Sequence, residues 1–225
     1  MLRIFVGFDS REPIAFHVLC HSILARSSRP VTITPLVLGH LKDSYTRQRG
    51  PTESTEFSMT RFLVPYLSDY HGYSLFMDCD MLCLTDINEM MQYVEADPWK
   101  DVWVCQHDYT PKDTVKFLGQ PQTVYARKNW SSVMLFNCHN QASRRLTPDY
   151  VNKATGLELH RLHWCDDGRI GKLPLEWNHL VGEYEHAANA KILHYTRGGP
   201  WFPEYANCDH AKEWFAERDA MLGVK

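Results

Sequence analysis

The first 38 residues alternate between two hydrophobic patterns, and this alternation constrains the fold more than any other feature. Leu2 to Phe8 form a short, continuous apolar run that is typical of a fully buried strand. From Pro13 to Ile23 the apolar residues recur at helical spacing, and Pro13 suits the first turn of a helix. Val31 to Leu38 is rich in β-branched residues and is predicted to be a second strand. A β-α-β opening predicts an α/β fold, with a parallel sheet and helices on its faces.

Shorter elements continue this pattern along the chain. Further strands are predicted at Tyr73–Met77, Val102–Gln106, Ser131–Phe136 and Lys191–Tyr195. Further helices are predicted at Ser58–Leu67, Ile87–Val94 and Asp209–Leu222. Strands and helices alternate regularly in the first half of the chain and less regularly in the second. We therefore predict one α/β domain that carries its binding loops in the second half.

Charge and hydrophobicity exclude two classes of protein. The chain has 24 Lys and Arg against 27 Asp and Glu, so it lacks the basic excess that binding a nucleic-acid backbone requires. No apolar run reaches the length of a membrane span, and the run from Leu2 to Phe8 is too short for a signal peptide. We therefore expect a cytoplasmic protein, or one attached peripherally to a membrane, with no nucleic-acid partner.

The cysteines and histidines give no recognisable structural metal or disulfide pattern. The seven cysteines are odd in number, include no C-x-x-C pair and mostly sit in apolar runs, which indicates reduced thiols. His160, His163 and Cys165 lie close together, but no second ligand pair stands at the spacing of a zinc site.

Two carboxylates follow the predicted strand Tyr73–Met77, in the order Asp78-Cys79-Asp80. In an extended segment residues i and i+2 point the same way, so both carboxylates face one side and Cys79 faces the other. Open α/β sheets bind ligands at the carboxyl ends of their strands. Adjacent carboxylates repel each other unless they are neutralised, and a hard divalent cation does this best. The motif predicts a metal site, and the alternative is a solvated turn.

A histidine closes the last predicted strand, and a glycine pair follows it. Taken alone, His194 is more simply a buried core histidine, and the Gly198-Gly199 pair an ordinary turn. However, paired glycines let backbone amides approach an anion, and Arg197 can add a charge-assisted contact. An imidazole beside such a loop suits a site for a metal and a diphosphate. Together with the two aspartates, this favours His194 as a metal ligand.

Four segments carry a resemblance to a known family. They are the opening strand that ends in Asp9, Thr60-Arg61-Phe62, Leu75–Asp80 and His194–Trp201. Their order and content resemble the glycosyltransferases related to glycogenin and to the bacterial lipopolysaccharide galactosyl- and glucosyltransferases, which form family eight of the GT-A fold. Weaker similarities at Ser131–Asn137 and Asp166–Asn178 extend the resemblance over nearly the whole chain.

The resemblance implies a single GT-A-type domain over residues 1–225, with a mostly parallel nucleotide-binding sheet flanked by helices. Residues 1–107 would form the nucleotide- and metal-binding half, and residues 108–225 the less regular half that binds donor sugar and acceptor. The implied reaction is metal-dependent transfer of a sugar from a nucleotide-diphosphate donor, most often a UDP-sugar, with retention of anomeric configuration. The expected partners are this donor and a saccharide, lipid-linked or protein acceptor.

The resemblance also implies roles for individual residues. Asp78, Asp80 and His194 would hold Mn²⁺, or Mg²⁺ as the alternative, and Mn²⁺ suits this carboxylate–imidazole set better. The donor-binding residues would be Gly7, Phe8, Asp9, Arg61, Ser131, Ser132, Arg197, Gly198, Gly199 and Trp201. Asp9 would accept from the base or ribose, and Arg61 would pair with a phosphate or with the carboxylates. The catalytic candidates are Asp166 and Asp167, one of which would contact the sugar or acceptor.

Departures from the family pattern keep two other functions open. Gly199 stands where the family has a Lys before Pro-Trp, and Ser132 stands where it has a Gly in the donor-sugar strand. These changes are compatible with a catalytically silent nucleotide-sugar-binding module of the same fold. A sugar nucleotidyltransferase is disfavoured, because the segment from Phe8 to Pro13 is acidic and lacks the glycines that cradle a triphosphate.

Overall fold

The computed structural model describes residues 1–50, 53–109 and 126–224, together with the backbone of two short strands at 115–116 and 120–121. The strands, in chain order, are β1 (Leu2–Gly7), β2 (Val31–Leu36), β3 (Tyr73–Met77), β4 (Met81–Cys83), β5 (Val102–Cys105), β6 (Val115–Lys116), β7 (Gln120–Pro121), β8 (Val133–Asn137), β9 (Ile170–Leu173), β10 (His179–Leu180) and β11 (Ile192–His194). The helices are α1 (Pro13–Arg26), α2 (Val64–Leu67), α3 (Met91–Ala96), α4 (Gln141–Arg145), α5 (Pro148–Lys153), α6 (Gly156–His160) and α7 (Ala211–Leu222).

A six-stranded sheet in the order β2-β1-β3-β8-β5-β9 forms the centre of the fold. Its strands run parallel except for β8, which is antiparallel to both of its neighbours, so the predicted mostly parallel α/β sheet is confirmed. Val6 pairs with Met77, Met77 pairs with Val133, and Cys105 pairs with Leu173. This register places the carboxyl ends of β1, β3, β5 and β9 along one edge, with the amino end of β8.

A smaller sheet in the order β10-β11-β4 packs beside the central one. Residues 78–80 join β3 of the central sheet to β4 of the smaller sheet. Strand β11 is antiparallel to β4, and His194 pairs with Met81. The amide N–H of Tyr195 donates to the carbonyl of Asp80 at 2.8 Å. The pairing therefore brings the end of β11 beside the acidic motif, although more than 100 residues separate them in the chain.

Several local elements differ from the sequence-based predictions. The helix predicted at Ser58–Leu67 is a 3-10 turn at Thr60–Leu63 that continues into α2, and Pro65 occupies the first turn of α2. Proline fits there because the first-turn N–H groups of a helix have no helical partner. The helix predicted at Ile87–Val94 likewise begins as a 3-10 turn before α3.

The cysteines agree with the reduced state that the sequence indicates. All seven are free thiols, and five of them are buried. Within the described ranges, none of the helices combines the length and the hydropathy that crossing a bilayer would demand.

A buried carboxylate fastens α7 to α1. Glu217 on α7 receives Arg26 Nη2 and His21 Nδ1 from α1, each at 2.6 Å. Burial by itself raises the pKa of Glu217, but the bonds from Arg26 and His21 outweigh it and lower the pKa below 4.5. Because the folded-state pKa lies below the unfolded one, the contribution to stability is complete above pH 4.5. It is lost as the pH falls through the folded-state pKa.

We expect Glu217→Gln to lower the free energy of unfolding by about 2 kcal/mol at pH 7, since charge-assisted bonds to a buried group are lost. The difference from the parent protein should shrink at an acidic pH below the folded-state pKa, where the parent carboxylate is itself protonated. Urea unfolding at both pH values measures it, with the exposed Glu95→Gln as the control. An equal loss at both pH values would contradict an ionic contribution.

Candidate metal centre

Three side chains meet at the junction of the two sheets. His194 Nε2 lies 3.4 Å from Asp80 Oδ1 and 4.0 Å from Asp78 Oδ2. One ligand atom from each residue lies within 4.8 Å of the others. The two aspartates follow β3, and His194 ends β11, so each strand delivers its ligand to the same point. The structure thus brings together the three residues that the sequence predicts as metal ligands.

The backbone at residues 78–80 separates the carboxylates from the cysteine between them. Cys79 is fully buried, whereas Asp78 and Asp80 are partly exposed, with 13% and 16% of their side chains accessible. This is the alternation expected of an extended segment that leaves a sheet. The predicted sharing of one side by the two carboxylates is therefore confirmed.

Arg61 fixes the orientation of Asp78. Its Nη1 lies 2.7 Å from Asp78 Oδ1 and also donates to the carbonyl of Ser131, while its Nε donates to the carbonyl of Ser58. The guanidinium lies over the ring of Phe76, at 4.8 Å from the centroid. Of the two roles open to Arg61, a phosphate contact or a carboxylate contact, the structure shows the carboxylate contact.

Asn178 determines which nitrogen of His194 faces the aspartates. Ser132 Oγ donates to the carbonyl of Asn129 at 2.7 Å, so it accepts from Asn178 Nδ2 at 2.8 Å. The remaining amide oxygen, Oδ1, then accepts from His194 Nδ1 at 2.9 Å. Since Nδ1 carries a proton, Nε2 is the nitrogen that faces the aspartates, and in the neutral tautomer it presents a lone pair to a metal ion held there. A histidine held in this way by its other nitrogen is typical of metal ligands in proteins.

A second histidine holds Asn178 from behind. His107 Nε2 accepts from Asn178 Nδ2 at 3.0 Å, and His107 Nδ1 is 2.7 Å from the hydroxyl of Tyr184. Burial lowers the pKa of His107 to about 3, with smaller contributions from His194 and His179, so this ring is neutral at physiological pH. A chain of hydrogen bonds therefore runs from Tyr184 through His107 and Asn178 to His194, and we call it the His194 relay.

The donor set fits a divalent cation. Two carboxylates supply hard oxygen ligands, and the relay supplies an imidazole with its lone pair directed at them. This mixture suits Mn²⁺ better than Ca²⁺ or Mg²⁺. The remaining charge is balanced in part by Arg61 at Asp78.

Glu12 is a third acid at this junction that the sequence did not single out. Burial raises its pKa well above the ordinary value, and the charges of Asp80 and Asp9 raise it further. Trp201 Nε1 donates to Glu12 Oε2 at 3.2 Å, and Cys79 Sγ donates to Oε1 at 3.5 Å. The predicted donor-site residue Trp201 therefore lies beside the acidic motif and is tied to it through Glu12.

The residues predicted at the end of β1 are packed against the segment around residue 56. Asp9 is fully buried, and its two oxygens receive the side chain and amide of Arg11 and the amide of Glu56. A base or ribose contact by Asp9 would need to replace one of these bonds. A Cβ at Gly7 would lie 2.4 Å from the ring of Phe57, so glycine is required by packing. Phe8 packs edge-on against the ring of Phe16 in α1.

Ser131 and Ser132 support the centre from behind. The carbonyl of Ser132 accepts the amide of Asp78 at 3.0 Å, and the carbonyl of Ser131 accepts Arg61. Their hydroxyls are committed to other partners, namely His160 for Ser131 and the Asn129–Asn178 pair for Ser132. The serine at the family's glycine position thus anchors the His194 relay. Direct contact of either serine with a donor sugar stays a prediction.

The loop after His194 is shaped by two glycines. A Cβ at Gly199 would lie 2.0 Å from the ring of Trp201, and one at Gly198 would lie 2.5 Å from Tyr205. Gly198 also has a backbone φ of 131°, which residues other than glycine rarely adopt. A lysine at position 199 would therefore collide with Trp201, which explains this departure from the family pattern.

Arg197 contacts the segment that follows β10. Its Nη1 donates to the carbonyl of Gly182 at 3.3 Å, and its side chain lines a cavity of about 290 Å³ together with Glu204 and Asp209. Its predicted contact with a phosphate stays a prediction.

Asp166 and Asp167 are not brought to the metal centre. Both are exposed and precede β9, and Asp167 pairs with Arg127 at 2.6 Å. The metal centre lies at the carboxyl edge of the sheet, which β9 reaches at Leu173. The four residues of β9 span roughly 13 Å between the two edges. The catalytic role implied for these two residues stays a prediction that this placement does not support.

Comparisons with known proteins place this geometry in a family. No protein-family model matches the chain. Protein CDI of Arabidopsis thaliana is 48% identical over an alignment 225 residues long, which covers 96% of this chain and 86% of that protein. The chain belongs to the family of Protein CDI. Similarity at this level over almost the full length of both sequences indicates that the CDI family shares one fold.

Solved structures identify the fold of this CDI-family protein. The galactosyltransferase LgtC is 10% identical, with a TM-score of 0.58 over 99% of this chain and 97% of LgtC. The bifunctional glycosyltransferase WbbM is 15% identical, with a TM-score of 0.59 over 96% of this chain, which spans only about half (49%) of the WbbM chain. The CDI-family protein therefore has the GT-A fold that these glycosyltransferases share, which is the fold that the sequence resemblance implies.

Proposed function

We propose that this protein is a metal-dependent glycosyltransferase that transfers a sugar from a UDP-sugar to an acceptor hydroxyl, with retention of anomeric configuration. The main support for this proposal is that Asp78, Asp80 and His194 cluster, with Nε2 of His194 facing the two carboxylates. LgtC, which has the same fold, was solved with donor and acceptor sugar analogues bound. The 3.4 Å separation of His194 Nε2 from Asp80 Oδ1, with Nδ1 held by the relay, supports a ligand role over that of a plain core histidine.

The protein's own residues would bind and orient the donor. Asp78, Asp80 and His194 would hold a divalent ion, with Arg61 and Asn178 keeping Asp78 and His194 in place. When bound, such an ion supplies Lewis-acid stabilisation of the charge that develops on a departing diphosphate.

Around the metal centre, the loop after His194 is the candidate diphosphate contact. Gly198 and Gly199 let its backbone run close to the rings of Trp201 and Tyr205, where a side chain at either position would collide. Trp201 is half-buried and bonded to Glu12, so it forms a fixed wall beside Asp80. The acceptor would enter from the less regular half, residues 108–225.

Retention would proceed by front-face displacement, in which the departing phosphate accepts the proton of the acceptor hydroxyl. A double displacement needs a carboxylate nucleophile about 5 Å from a second acid at the sugar. Asp166 and Asp167, the two acids that the resemblance offers, lie at the other edge of the sheet.

A cytoplasmic location, free or peripheral to a membrane, agrees with the seven free thiols.

The test is a thermal-shift and hydrolysis screen of the metal-free protein. We expect UDP with Mn²⁺ to raise the melting temperature by about 5–10 °C at 100 times its dissociation constant, and UDP without metal to raise it far less. We further expect slow, Mn²⁺-dependent hydrolysis of one UDP-sugar in a panel of UDP- and GDP-sugars.

Other outcomes would select the alternatives. Metal-dependent binding of UDP without hydrolysis or transfer from any donor would indicate a silent module. Stabilisation by a nucleoside triphosphate alone would indicate a nucleotidyltransferase. Absence of any metal-dependent nucleotide binding would contradict the proposed site itself.

A further inference from the structure

A second group of potential metal ligands lies at the start of α7, outside the centre described above. His186, Asp209 and His210 each place a ligand atom within 4.8 Å of the others. His186 belongs to the segment between β10 and β11, whereas Asp209 and His210 directly precede α7. His210 has a left-handed backbone, with a φ of 57°. Two chain segments therefore converge here through their side chains, and we call these three residues the α7 cluster.

Glu213 sets the orientation of His210. Its Oε1 lies 2.9 Å from His210 Nδ1, and an ionised carboxylate can only accept, so Nδ1 carries the proton. The other ring nitrogen, Nε2, is buried and has no hydrogen-bond partner among the residues that the structure describes. It lies 3.7 Å from Asp209 Oδ2. A carboxylate on one ring nitrogen and an open lone pair on the other is the arrangement of histidines at zinc sites.

Asp209 also contacts the second histidine. Its Oδ1 lies 2.9 Å from His186 Nδ1, while Oδ2 faces His210. The two imidazole rings stack, with centroids 4.1 Å apart and planes 11° from parallel. Parallel rings cannot both direct an in-plane lone pair at one ion, so binding would turn the ring of His186. This side chain is 57% exposed and is free of the packing that fixes His210, which is 4% exposed.

His179 adds a further neutral imidazole at the wall of the cluster. It is buried and meets His210 edge-on, with ring centroids 5.7 Å apart. Burial lowers the pKa of His179, and His210 lowers it further. Its Nε2 is buried and, like that of His210, has no hydrogen-bond partner within the described residues. Two buried ring nitrogens without partners are costly in a folded protein, and a bound ion is one explanation for such groups.

We propose that His186, Asp209 and His210 form a second metal site, which takes Zn²⁺ or another late first-row divalent ion. Imidazole nitrogens and one carboxylate are the ligands of tetrahedral zinc sites, with a fourth position left for water or a further side chain. This set is richer in nitrogen than Asp78, Asp80 and His194, so it favours Zn²⁺ over Mn²⁺ or Mg²⁺. The site is independent of the proposed transferase activity.

The bound ion would connect the segment between β10 and β11 to the start of α7. The hydroxyl of Tyr195 donates to the carbonyl of His210 at 2.9 Å, so the connection extends to the residue that follows His194. The expected role of the site is therefore structural: it fastens the C-terminal helix to strand β11. Zn²⁺ would raise the thermal stability of the protein in the absence of any nucleotide.

The test is titration of metal-free, tag-free protein with Zn²⁺ by calorimetry, and with Co²⁺ by visible absorption. All variants carry Asp80→Asn, so that the first centre does not contribute. We expect His186→Ala to weaken Zn²⁺ binding at least about 10-fold, and His210→Asn at least about 100-fold. Asparagine tolerates the left-handed backbone at position 210 and so preserves the fold. Glu213→Gln should weaken binding about 10-fold, because His210 loses its orienting carboxylate.

The control is His40→Ala, which removes an exposed histidine outside the cluster and should leave Zn²⁺ affinity unchanged. Circular dichroism of His186→Ala and His210→Asn checks that the fold is kept. Equal Zn²⁺ affinity in the Asp80→Asn parent, His186→Ala and His210→Asn would overturn the proposal. So would the lack of any Zn²⁺ binding by the Asp80→Asn parent.

Discussion

Replacing Asp80 with Asn is expected to weaken Mn²⁺-dependent binding of UDP at least about 100-fold. Asn keeps the shape of the side chain but removes the charge of an oxygen that lies 3.4 Å from His194 Nε2. Replacing a residue that only hydrogen-bonds to a metal ligand already lowers metal affinity about 10- to 100-fold. Asp80 would contact the ion directly, so its replacement should cost at least as much. Calorimetric titration of UDP into each protein, at one fixed Mn²⁺ concentration that just saturates the parent, measures the change.

The control for this substitution is Asp43→Asn, which removes the same charge from an exposed position away from the sheet junction. It should bind UDP as the parent does. Direct titration with Mn²⁺, followed by electron paramagnetic resonance, separates loss of the ion from loss of the nucleotide. Unchanged Mn²⁺ and UDP affinity in Asp80→Asn would remove Asp80 from the metal centre and, with it, the basis of the proposed function.

Replacing Asn178 with Ala is expected to weaken Mn²⁺ binding about 10- to 100-fold, although this side chain would not touch the ion. Without the amide oxygen at 2.9 Å, His194 Nδ1 loses the acceptor that keeps its proton there and the lone pair on Nε2. Asn178→Asp retains an acceptor for Nδ1, so we expect it to bind Mn²⁺ within a few-fold of the parent. Direct Mn²⁺ titration of both variants measures this.

Asn137→Ala is the matched control for Asn178→Ala. Asn137 is also buried and also ends a hydrogen-bonded element, but it lies at the opposite edge of the sheet, where it bonds the carbonyl of Lys100. Both alanine variants should lose stability, and only Asn178→Ala should lose metal affinity. Equal Mn²⁺ affinities in the two would mean that Asn178 supports the fold alone.

The regular part of the fold could be read from the sequence because most of its strands lie in apolar or β-branched runs. Strands β1, β2, β3, β5, β8 and β11 and helices α1 and α7 correspond to predicted elements. Strands β4, β9 and β10 were not predicted: β9 has a glycine and a lysine in its interior, and β10 has only two residues. The reversed direction of β8 depends on strand pairing, and a local sequence pattern carries no such information.

The metal site was predictable where potential ligands directly follow or end a predicted strand. Asp78 and Asp80 could be recognised because two carboxylates alternate with a cysteine directly after a buried strand. His194 could be recognised because it lies at the end of another predicted strand. The placement of Asp166 and Asp167 was not predictable, because it depends on β9, which the sequence did not reveal. The two acids stand at the amino end of this strand, whereas the centre lies at its carboxyl end.

The His194 relay left no signal in the sequence for a different reason. Its members are joined by hydrogen bonds between side chains that are 16 to 77 residues apart. Asn178 could have been noticed only through the weak family similarity around residues 166–178. The α7 cluster is similar, since His186 stands 23 residues before Asp209 and shares no ligand spacing with it.

The passage of the chain from one sheet to the other at residues 78–80 has a mechanical consequence. Asp78 and Asp80 lie within this connecting segment. His194 lies on β11, which pairs with β4, the strand that the segment leads into. An ion bound by all three residues would couple local opening of the small sheet to local opening of the large one. Transient detachment of β4 and β11 would then become rarer by about the ratio of the ion concentration to the dissociation constant, so the metal-loaded protein would open along this junction less often than the metal-free protein.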